Sequence, residues 1–268
     1  MSRYLDPKND LTFKRIFGEH KHLLMSLLNA LLPLSSPVVE VEYISNELVP
    51  EVPYVKHSVV DVRCKDLHGR QFLVEMQMLW SESFKQRVVF NASKAYVKQL
   101  RRGQEWSAIQ PVYVLALVND VFDHQSAAYY HHFAIVNLEN PTRRLDGMEF
   151  VFVELPKFHQ KEDNMKELWL SFLTDIKDQT RDSEVAERLK LNSNIREALG
   201  CLEESSYNDE ELEAYDTYWD EVSSEKTLMT SARLEGHAEG RAEGLQEALQ
   251  RLIASGMSEP QARQSLGL

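Results

Sequence analysis

The chain lacks several features that mark whole classes of protein. It has only two cysteines in 268 residues, too few for a disulfide framework, and this predicts a reducing cytoplasm. No apolar run reaches the roughly 18 residues that a membrane-spanning helix needs, and the N-terminal segment has no apolar secretory core. Paired cysteines of the zinc-binding type and a phosphate-binding P-loop are also missing. We therefore expect a cytoplasmic protein with no membrane partner.

Acidic charge dominates the chain as a whole, but it is unevenly distributed. The formal net charge is −12. Residues 1–104 carry 15 Lys/Arg against 11 Asp/Glu, a balance of +4, whereas the remaining residues carry 15 against 31, a balance of −16. The mildly basic first part is compatible with a polyanionic partner, which the net charge alone would argue against.

One short segment, Val59–Met78, has the pattern of a β-hairpin. Both halves are rich in β-branched and apolar residues, and Gly69 lies between them. A three-residue loop over residues 67–69, with Gly69 in the left-handed conformation, fixes the register of the two strands.

That register brings two acidic side chains together. Asp66 would lie opposite Arg70, and counting back from this pair places Asp61 opposite Glu75. Gln77 shares the face of Glu75 because side chains alternate along a strand. Opposed carboxylates destabilise a sheet unless a cation lies between them. The pattern fits a divalent-metal site or a hydrated polar face, and spacing alone leaves both open.

The segment before the hairpin is helical in pattern and then extended. Residues 9–32 place leucines at helical spacing, with Asn9 or Asp10 as the N-cap and Lys14 one turn later. Asp10 is therefore either a capping residue or an acidic group near the site. Residues 38–45 alternate as a first strand, and residues 46–56 form a proline-punctuated connection.

A second helical pattern covers residues 83–103 and ends at Gly103. Its apolar side is predicted to comprise Val89, Phe90, Tyr96, Val97 and Leu100. The opposite arc of about 100° is basic, and it comprises Arg87, Lys94, Lys98, Arg101 and Arg102. This stripe is either a surface for a phosphate backbone or an ordinary solvated face.

The remaining segments complete a core and add helices. The run Val112–Val118 is typical of a strand buried on both faces, as parallel strands are, and residues 133–138 and 149–155 read as two more strands. Acidic helices are predicted over residues 162–178, 183–203 and 208–229. The predicted boundaries are a core domain of residues 1–160, a helical region of residues 161–230, and a tail of residues 231–268.

The tail contains three Glu-Gly pairs spaced by four residues, with glycines at Gly236, Gly240 and Gly244. Each glycine disfavours a helix by roughly 1 kcal/mol relative to alanine, so a flexible linker is one interpretation. A smooth glycine stripe that permits close helix approach and self-association is the other. Ser258 is the expected cap of a last short helix.

Several stretches together resemble a known family. They are Asn9-Asp10-Leu-Thr-Phe-Lys14-Arg-Ile-Phe-Gly18, then Val60-Asp61 through Gly69 with Val74-Glu75-Met76-Gln77, then residues 96–100 with Gly103, residues 155–158 and the Glu-Gly pairs. In this order, over nearly the whole chain, they are similar to the recombination-promoting nuclease/putative transposase family of the PD-(D/E)XK nuclease superfamily. The resemblance implies an α/β fold with a restriction-endonuclease-like core (αβββαβ, mixed sheet) and a C-terminal α-helical appendage. It also implies a metal-dependent DNA endonuclease linked to recombination or mobile elements.

The resemblance also implies roles for individual residues. Asp61 and Glu75 would bind Mg²⁺, with Mn²⁺ or Ca²⁺ as alternatives, and the Met76 carbonyl would complete the protein ligands. Gln77 stands where the superfamily usually has lysine and would orient a water, and Asp10 would add an acidic group. The residues expected to contact DNA are Lys14, Arg87, Lys94, Lys98 and Arg101.

Two other functions remain compatible with these residues. One is a non-cleaving module of the same fold that binds DNA or protein. The other is an assembly factor of a defence or mobile-element system that forms homo-oligomers through its C-terminal helical tail.

Overall fold

A computed structural model describes residues 3–48 and 58–268 of the chain. Most of the predicted connection over residues 46–56 therefore lies outside the described residues. The first part contains β1 (Arg3–Tyr4), α1 (Asp10–Glu19), α2 (Lys21–Leu31), β2 (Val41–Tyr43), β3 (Glu47–Leu48), β4 (Ser58–Val59), β5 (Val62–Asp66), β6 (Gln71–Gln77) and α3 (Glu82–Val97). The second contains β7 (Val112–Val118), β8 (Tyr130–Val136), β9 (Arg144–Glu154), α4 (Met165–Asp175), β10 (Thr180–Arg181), α5 (Glu187–Leu191), α6 (Ser193–Cys201), α7 (Asp209–Ala254) and α8 (Glu259–Leu266).

A six-stranded mixed sheet organises the core, with the strand order β2-β5-β6-β7-β9-β8. The pairs β6–β7 and β7–β9 are parallel, and the other neighbouring pairs are antiparallel. Every residue of β7 is buried, as its uninterrupted apolar sequence predicts for a central parallel strand. The predicted α/β fold, with its αβββαβ order and mixed sheet, is confirmed.

Helix α3 lies against one face of this sheet and completes the hydrophobic core there. Its buried side chains recur at helical spacing and meet the side chains that β7 directs to the same face. The helix contributes Phe84, Val88, Ala92 and Ala95, and the strand contributes Val112, Val114, Ala116 and Val118.

The predicted orientation of α3 is wrong. Val89, Phe90 and Val97, expected on the buried side, are exposed, whereas Lys94 is buried. The two alanines on the sheet side let the helix approach closely, and this packing decides the rotation. The helix also ends at Val97, so the basic stripe does not continue along it to residues 101 and 102.

The predicted single helix over residues 9–32 is two helices. His20 adopts an extended backbone, with φ −109° and ψ 91°, and its ring Nδ1 lies 3.0 Å from the carbonyl of Arg15 in α1. The interruption allows α1 and α2 to pack at different orientations, with α2 against α4 and both against α6.

The helical second part follows the predicted segments with two differences. The expected helix over residues 183–203 is divided at Asn192, whose extended backbone ends α5 and whose side chain caps α6. The expected helix over residues 208–229 continues to Ala254 as α7. The Glu-Gly pairs therefore lie within a helix, and the flexible-linker interpretation is wrong.

The chain divides into two compact units, one ending at Tyr218 and the other running from Trp219 to Leu268. The domain boundaries at residues 160 and 230 stay predictions. Both cysteines, Cys64 and Cys201, are free thiols. In residues 3–48 and 58–268, none of the helices combines the length and the apolar character needed to cross a bilayer.

Candidate functional site

The hairpin formed by β5 and β6 has the register that its loop predicts. Gly69 has φ +81°, and the Asp66 amide donates to the Arg70 carbonyl at 3.0 Å across the three-residue loop. Strand residues pair as Val62 with Val74, which extends to Asp61 opposite Glu75 at the end of β5. The two carboxylates therefore lie on adjacent chain segments, as the sequence indicates.

The regular strand ladder stops at this point because Asp61 takes over one of its hydrogen bonds. The Met76 amide donates to Asp61 Oδ2 at 2.7 Å. The Val60 amide, which a continued ladder would direct to the Met76 carbonyl, donates instead to the Asn46 carbonyl at 3.1 Å. Because the N–H and C=O of one strand residue point to the same side, the Met76 carbonyl faces the side of Asp61.

Glu75 is buried and is held by a residue that the sequence analysis did not single out. Asn91 Nδ2 donates to Glu75 Oε1 at 3.1 Å, and Asn91 Oδ1 is buried without a hydrogen-bond partner among the described residues. A signal was present, since Asn91 is a polar residue at a core position of α3, three residues after Val88 and four before Ala95.

The electrostatic surroundings raise the pKa of both carboxyl groups when no cation is present. Burial raises the pKa of Glu75, and the neighbouring Asp61 charge raises it further. Burial also raises the pKa of Asp61, in opposition to the hydrogen bond from the Met76 amide, which lowers it. Arg87 acts against the rise in both pKa values. A cation at this position would relieve the repulsion between the two carboxylates.

Two further predicted site residues, Asp10 and Lys14, lie on α1. Asn9 caps this helix, since its side chain accepts from the Leu11 amide at 3.0 Å, so capping does not require Asp10. Asp10 instead forms an ion pair with Lys14 at 2.8 Å. The Asp10 charge contributes to the raised pKa of Asp61, and the Lys14 charge opposes it. This pair therefore belongs to the electrostatic surroundings of the carboxylates.

Gln77 is placed beside Glu75 on β6 and reaches across to α3. Arg87 Nη2 donates to Gln77 Oε1 at 2.7 Å. The other end of the amide, Nε2, donates to the Leu79 carbonyl at 2.8 Å. The Arg87 guanidinium also lies over the Phe84 ring, with Cζ 5.0 Å from its centroid. Arg87 and Gln77 thus form one polar unit at the margin of the carboxylate pair.

The predicted DNA contacts are not all on the surface. Lys94 is only 8% exposed, and its ammonium donates to the Leu48 carbonyl at 2.9 Å and to Ser58 Oγ at 3.3 Å. The prediction that Lys94 faces a phosphate backbone is therefore wrong, because the side chain holds the β3–β4 segment to α3. Lys98 follows the end of α3, and Arg101 lies in the exposed turn beyond it. Their contacts with DNA stay predictions.

The residues present suit a hard divalent cation with few protein ligands. Asp61, Glu75 and the Met76 carbonyl offer oxygen atoms only, the donors that Mg²⁺ prefers. Over the described ranges, no cluster of three or more His, Cys, Asp or Glu side chains could hold a metal by itself. Water and substrate oxygens would therefore complete the coordination, which is usual for Mg²⁺.

Comparison with known proteins agrees with this arrangement. A family model described as PD-(D/E)XK nuclease family transposase matches residues 7–231, which include α1, the whole mixed sheet and the carboxylate pair. No curated protein and no solved structure gives a match. The extent of the family match and the mixed sheet together show that the chain belongs to the PD-(D/E)XK nuclease family transposases.

Proposed function

We propose that the protein is a divalent-metal-dependent DNA endonuclease that hydrolyses phosphodiester bonds, in recombination or on mobile elements. One observation carries the proposal: the β5–β6 register, continued one residue past Val62 and Val74, brings Asp61 opposite the buried Glu75, and the Met76 amide donates to Asp61 Oδ2 at 2.7 Å. Two carboxylates held close together repel each other and destabilise the folded protein unless a cation binds between them. Membership of a nuclease family supports the same reaction class.

Asp61, Glu75 and the Met76 carbonyl would hold Mg²⁺, or Mn²⁺ or Ca²⁺ in its place. An ion held there would make a bound water more acidic, and so a better nucleophile, and would stabilise negative charge on the attacked phosphate.

The protein's own groups orient these ligands and attract the substrate. The Met76 amide fixes Asp61 through Oδ2 and leaves Oδ1 for the cation. Asn91 fixes Glu75 through Oε1. Lys14 and Arg87 place positive charge beside the pair, which favours approach of a phosphate backbone, and Asp10 holds Lys14 in position. Lys98 and Arg101 would extend the DNA contact beyond α3.

A nicking assay on supercoiled plasmid tests this function. The wild-type protein should nick the plasmid in Mg²⁺ or Mn²⁺, and Asp61→Asn, which keeps the side-chain shape, should lower the rate by about 100-fold or more. Glu40→Gln is a matched control because Glu40 is an exposed carboxylate of the same unit outside the site. Absence of cleavage by the wild-type protein in every divalent metal would refute the enzyme function. Equal cleavage by Asp61→Asn would refute the site.

A non-cleaving DNA-binding module is the second candidate, and the neutral side chain of Gln77 favours it. An amide cannot neutralise charge that develops on a phosphate, whereas a lysine at that position can. DNA binding that requires Lys14 and Arg87, with no cleavage under any condition, would support this candidate. Fluorescence anisotropy with a labelled duplex separates binding from cleavage.

A further inference from the structure

The pair formed by Gln77 and Arg87 places a positive charge near the position where the superfamily usually has a lysine and this chain has Gln77. Gln77 is fixed from both ends, because its Nε2 donates to the Leu79 carbonyl at 2.8 Å while its Oε1 accepts from Arg87 at 2.7 Å. These two partners have opposite hydrogen-bonding requirements, so the amide can satisfy both in one orientation only. Gln77 is therefore occupied in holding an arginine.

The charge of Arg87 reaches the carboxylate pair. Asn91 lies four residues after Arg87 on α3, so the two share a helix face, and Asn91 donates to Glu75 Oε1 at 3.1 Å. Gln77, which accepts from Arg87, shares the face of Glu75 on β6. Among the residues that the structure describes, no carboxylate forms an ion pair with Arg87. The guanidinium thus keeps donors for an incoming phosphate, because Gln77 engages one of its five N–H groups.

Lys14 is the competing cation, and its situation differs. Its ammonium is paired with Asp10 at 2.8 Å, so a carboxylate already offsets its charge. Arg87, held by a neutral amide, retains its full charge. Bidentate binding of phosphate is also available to a guanidinium and not to an ammonium.

We infer that Gln77 is a positioning residue that holds Arg87 beside the carboxylate pair, where the guanidinium binds the scissile phosphate and neutralises the charge that develops on it. The inference rests on the proposed nuclease function. It identifies Arg87 as the side chain whose positive charge faces the phosphate. In that reaction the water oxygen bonds to phosphorus and one phosphorus–oxygen ester bond breaks. The water gives up a proton to solvent, and the departing oxygen takes one up.

Four variants of the 268-residue chain test the assignment. Arg87→Gln removes the charge and should lower the cleavage rate constant by about 100-fold, with a much smaller change in KM. Arg87→Lys keeps the charge and should retain more activity. Lys85→Gln is the matched control, because Lys85 is an exposed cation on the same helix. The double variant Gln77→Lys/Arg87→Gln moves the cation onto β6 and should recover much of the lost rate.

Magnesium affinity in the absence of DNA gives an independent readout. A cation beside the two carboxylates opposes Mg²⁺ binding, so Arg87→Gln should bind Mg²⁺ about threefold to tenfold more tightly by isothermal titration calorimetry. Gln77→Lys/Arg87→Gln should return towards the wild-type affinity, and Lys85→Gln should match the wild type. If Arg87 had only a structural role, its loss would not be expected to lower the cleavage rate and at the same time to raise the affinity for Mg²⁺.

The outcomes separate this inference from the proposed function. If the wild-type protein cleaves DNA and Asp61→Asn does not, but Arg87→Gln cleaves as fast as Lys85→Gln, the inference is overturned and the nuclease function stands. Unchanged Mg²⁺ affinity in Arg87→Gln also overturns it. If the wild-type protein cleaves nothing in any metal, both fail. Loss of rate, tighter Mg²⁺ binding and recovery by the double variant support the inference.

Discussion

At the scale of single residues, the buried carboxyl of Glu75 links the site to folding stability. Burial and the Asp61 charge raise its pKa, so the folded protein retains a proton that the unfolded chain releases at a lower pH. Between the ordinary carboxyl pKa of about 4.3 and the raised value, the native state binds more protons than the unfolded state. The contribution of Glu75 therefore makes stability fall as pH rises through this window.

Replacing Glu75 by glutamine should remove this contribution. With a metal chelator present, we expect Glu75→Gln to be more stable than the wild type by about 1–3 kcal/mol at about pH 8. The advantage should disappear near pH 4, where the carboxyl is protonated in both states. Urea unfolding at both pH values measures the difference, with Glu40→Gln as the control. Parallel pH profiles for wild type and Glu75→Gln would contradict the assignment of the raised pKa.

The residues of the hairpin show which part of the site a sequence can predict. Its register depends on contacts within five residues, since Asp66 accepts from the His68 and Arg70 amides at 3.0 and 2.9 Å. Those contacts and the left-handed Gly69 can be expected from local turn chemistry. The hydrogen bonds from Asn91 to Glu75 and from Arg87 to Gln77 connect α3 with β6. A local sequence pattern cannot predict such contacts between separate elements.

At the scale of elements, α3 shows why the orientation of a helix is harder to predict than its existence. Its start was predicted within one residue and its end six residues too late, and its rotation depends on the sheet-side packing of Ala92 and Ala95 together with an unexpected contact. The Lys94 ammonium reaches the Leu48 carbonyl, 46 residues earlier, and is buried by doing so. The aliphatic stem of a lysine packs well in such a position when its charged end finds a partner. A rule that places every lysine in solvent therefore rotates the helix incorrectly.

Helix α7 poses the opposite case, because local propensity argued against it. Gly236, Gly240 and Gly244 each disfavour the helix, but the intervening alanine, glutamate and arginine residues favour it. An added Cβ at any of the three glycines would meet nothing within 4 Å. The glycines therefore weaken this helix without a steric need within the chain.

The triple variant Gly236→Ala/Gly240→Ala/Gly244→Ala should strengthen the helix. Each substitution should contribute up to about 1 kcal/mol of helix stability, so the helical circular-dichroism signal at 222 nm should persist to higher temperature. If the glycine stripe mediates self-association through the tail, the same variant should lose oligomers in light scattering. An unchanged melting profile would contradict the proposed helical cost of the glycines.

At the scale of the whole molecule, the two compact units differ in how their residues are buried. The unit ending at Tyr218 contains the mixed sheet and its buried core, whereas residues 223–244 of the other unit are exposed throughout. Isolated helices without a packed face are marginally stable in water. We therefore expect the second unit to open locally at a much lower free energy than the sheet.

Limited proteolysis tests this difference directly. Among the described residues, trypsin should cut first after Lys226, Arg233 or Arg241 and leave a resistant fragment that retains the mixed sheet. Mass spectrometry of the early fragments identifies the cuts. First cuts within the sheet would contradict the prediction. Protection of residues 223–244 in concentrated but not in dilute protein would instead indicate that self-association covers the helix.

The hydrogen bond from the Met76 amide to Asp61 gives the site a built-in spectroscopic reporter. The Met76 amide proton is hydrogen-bonded to Asp61, a proposed metal ligand, rather than to the backbone of a neighbouring strand. Its chemical shift therefore depends directly on the charge of that carboxylate. Addition of Mg²⁺ to isotope-labelled protein should shift the Met76 amide peak early and strongly, whereas peaks from the other end of the hairpin should stay in place. Occupancy of the site can thus be followed at one backbone atom, without DNA and without turnover.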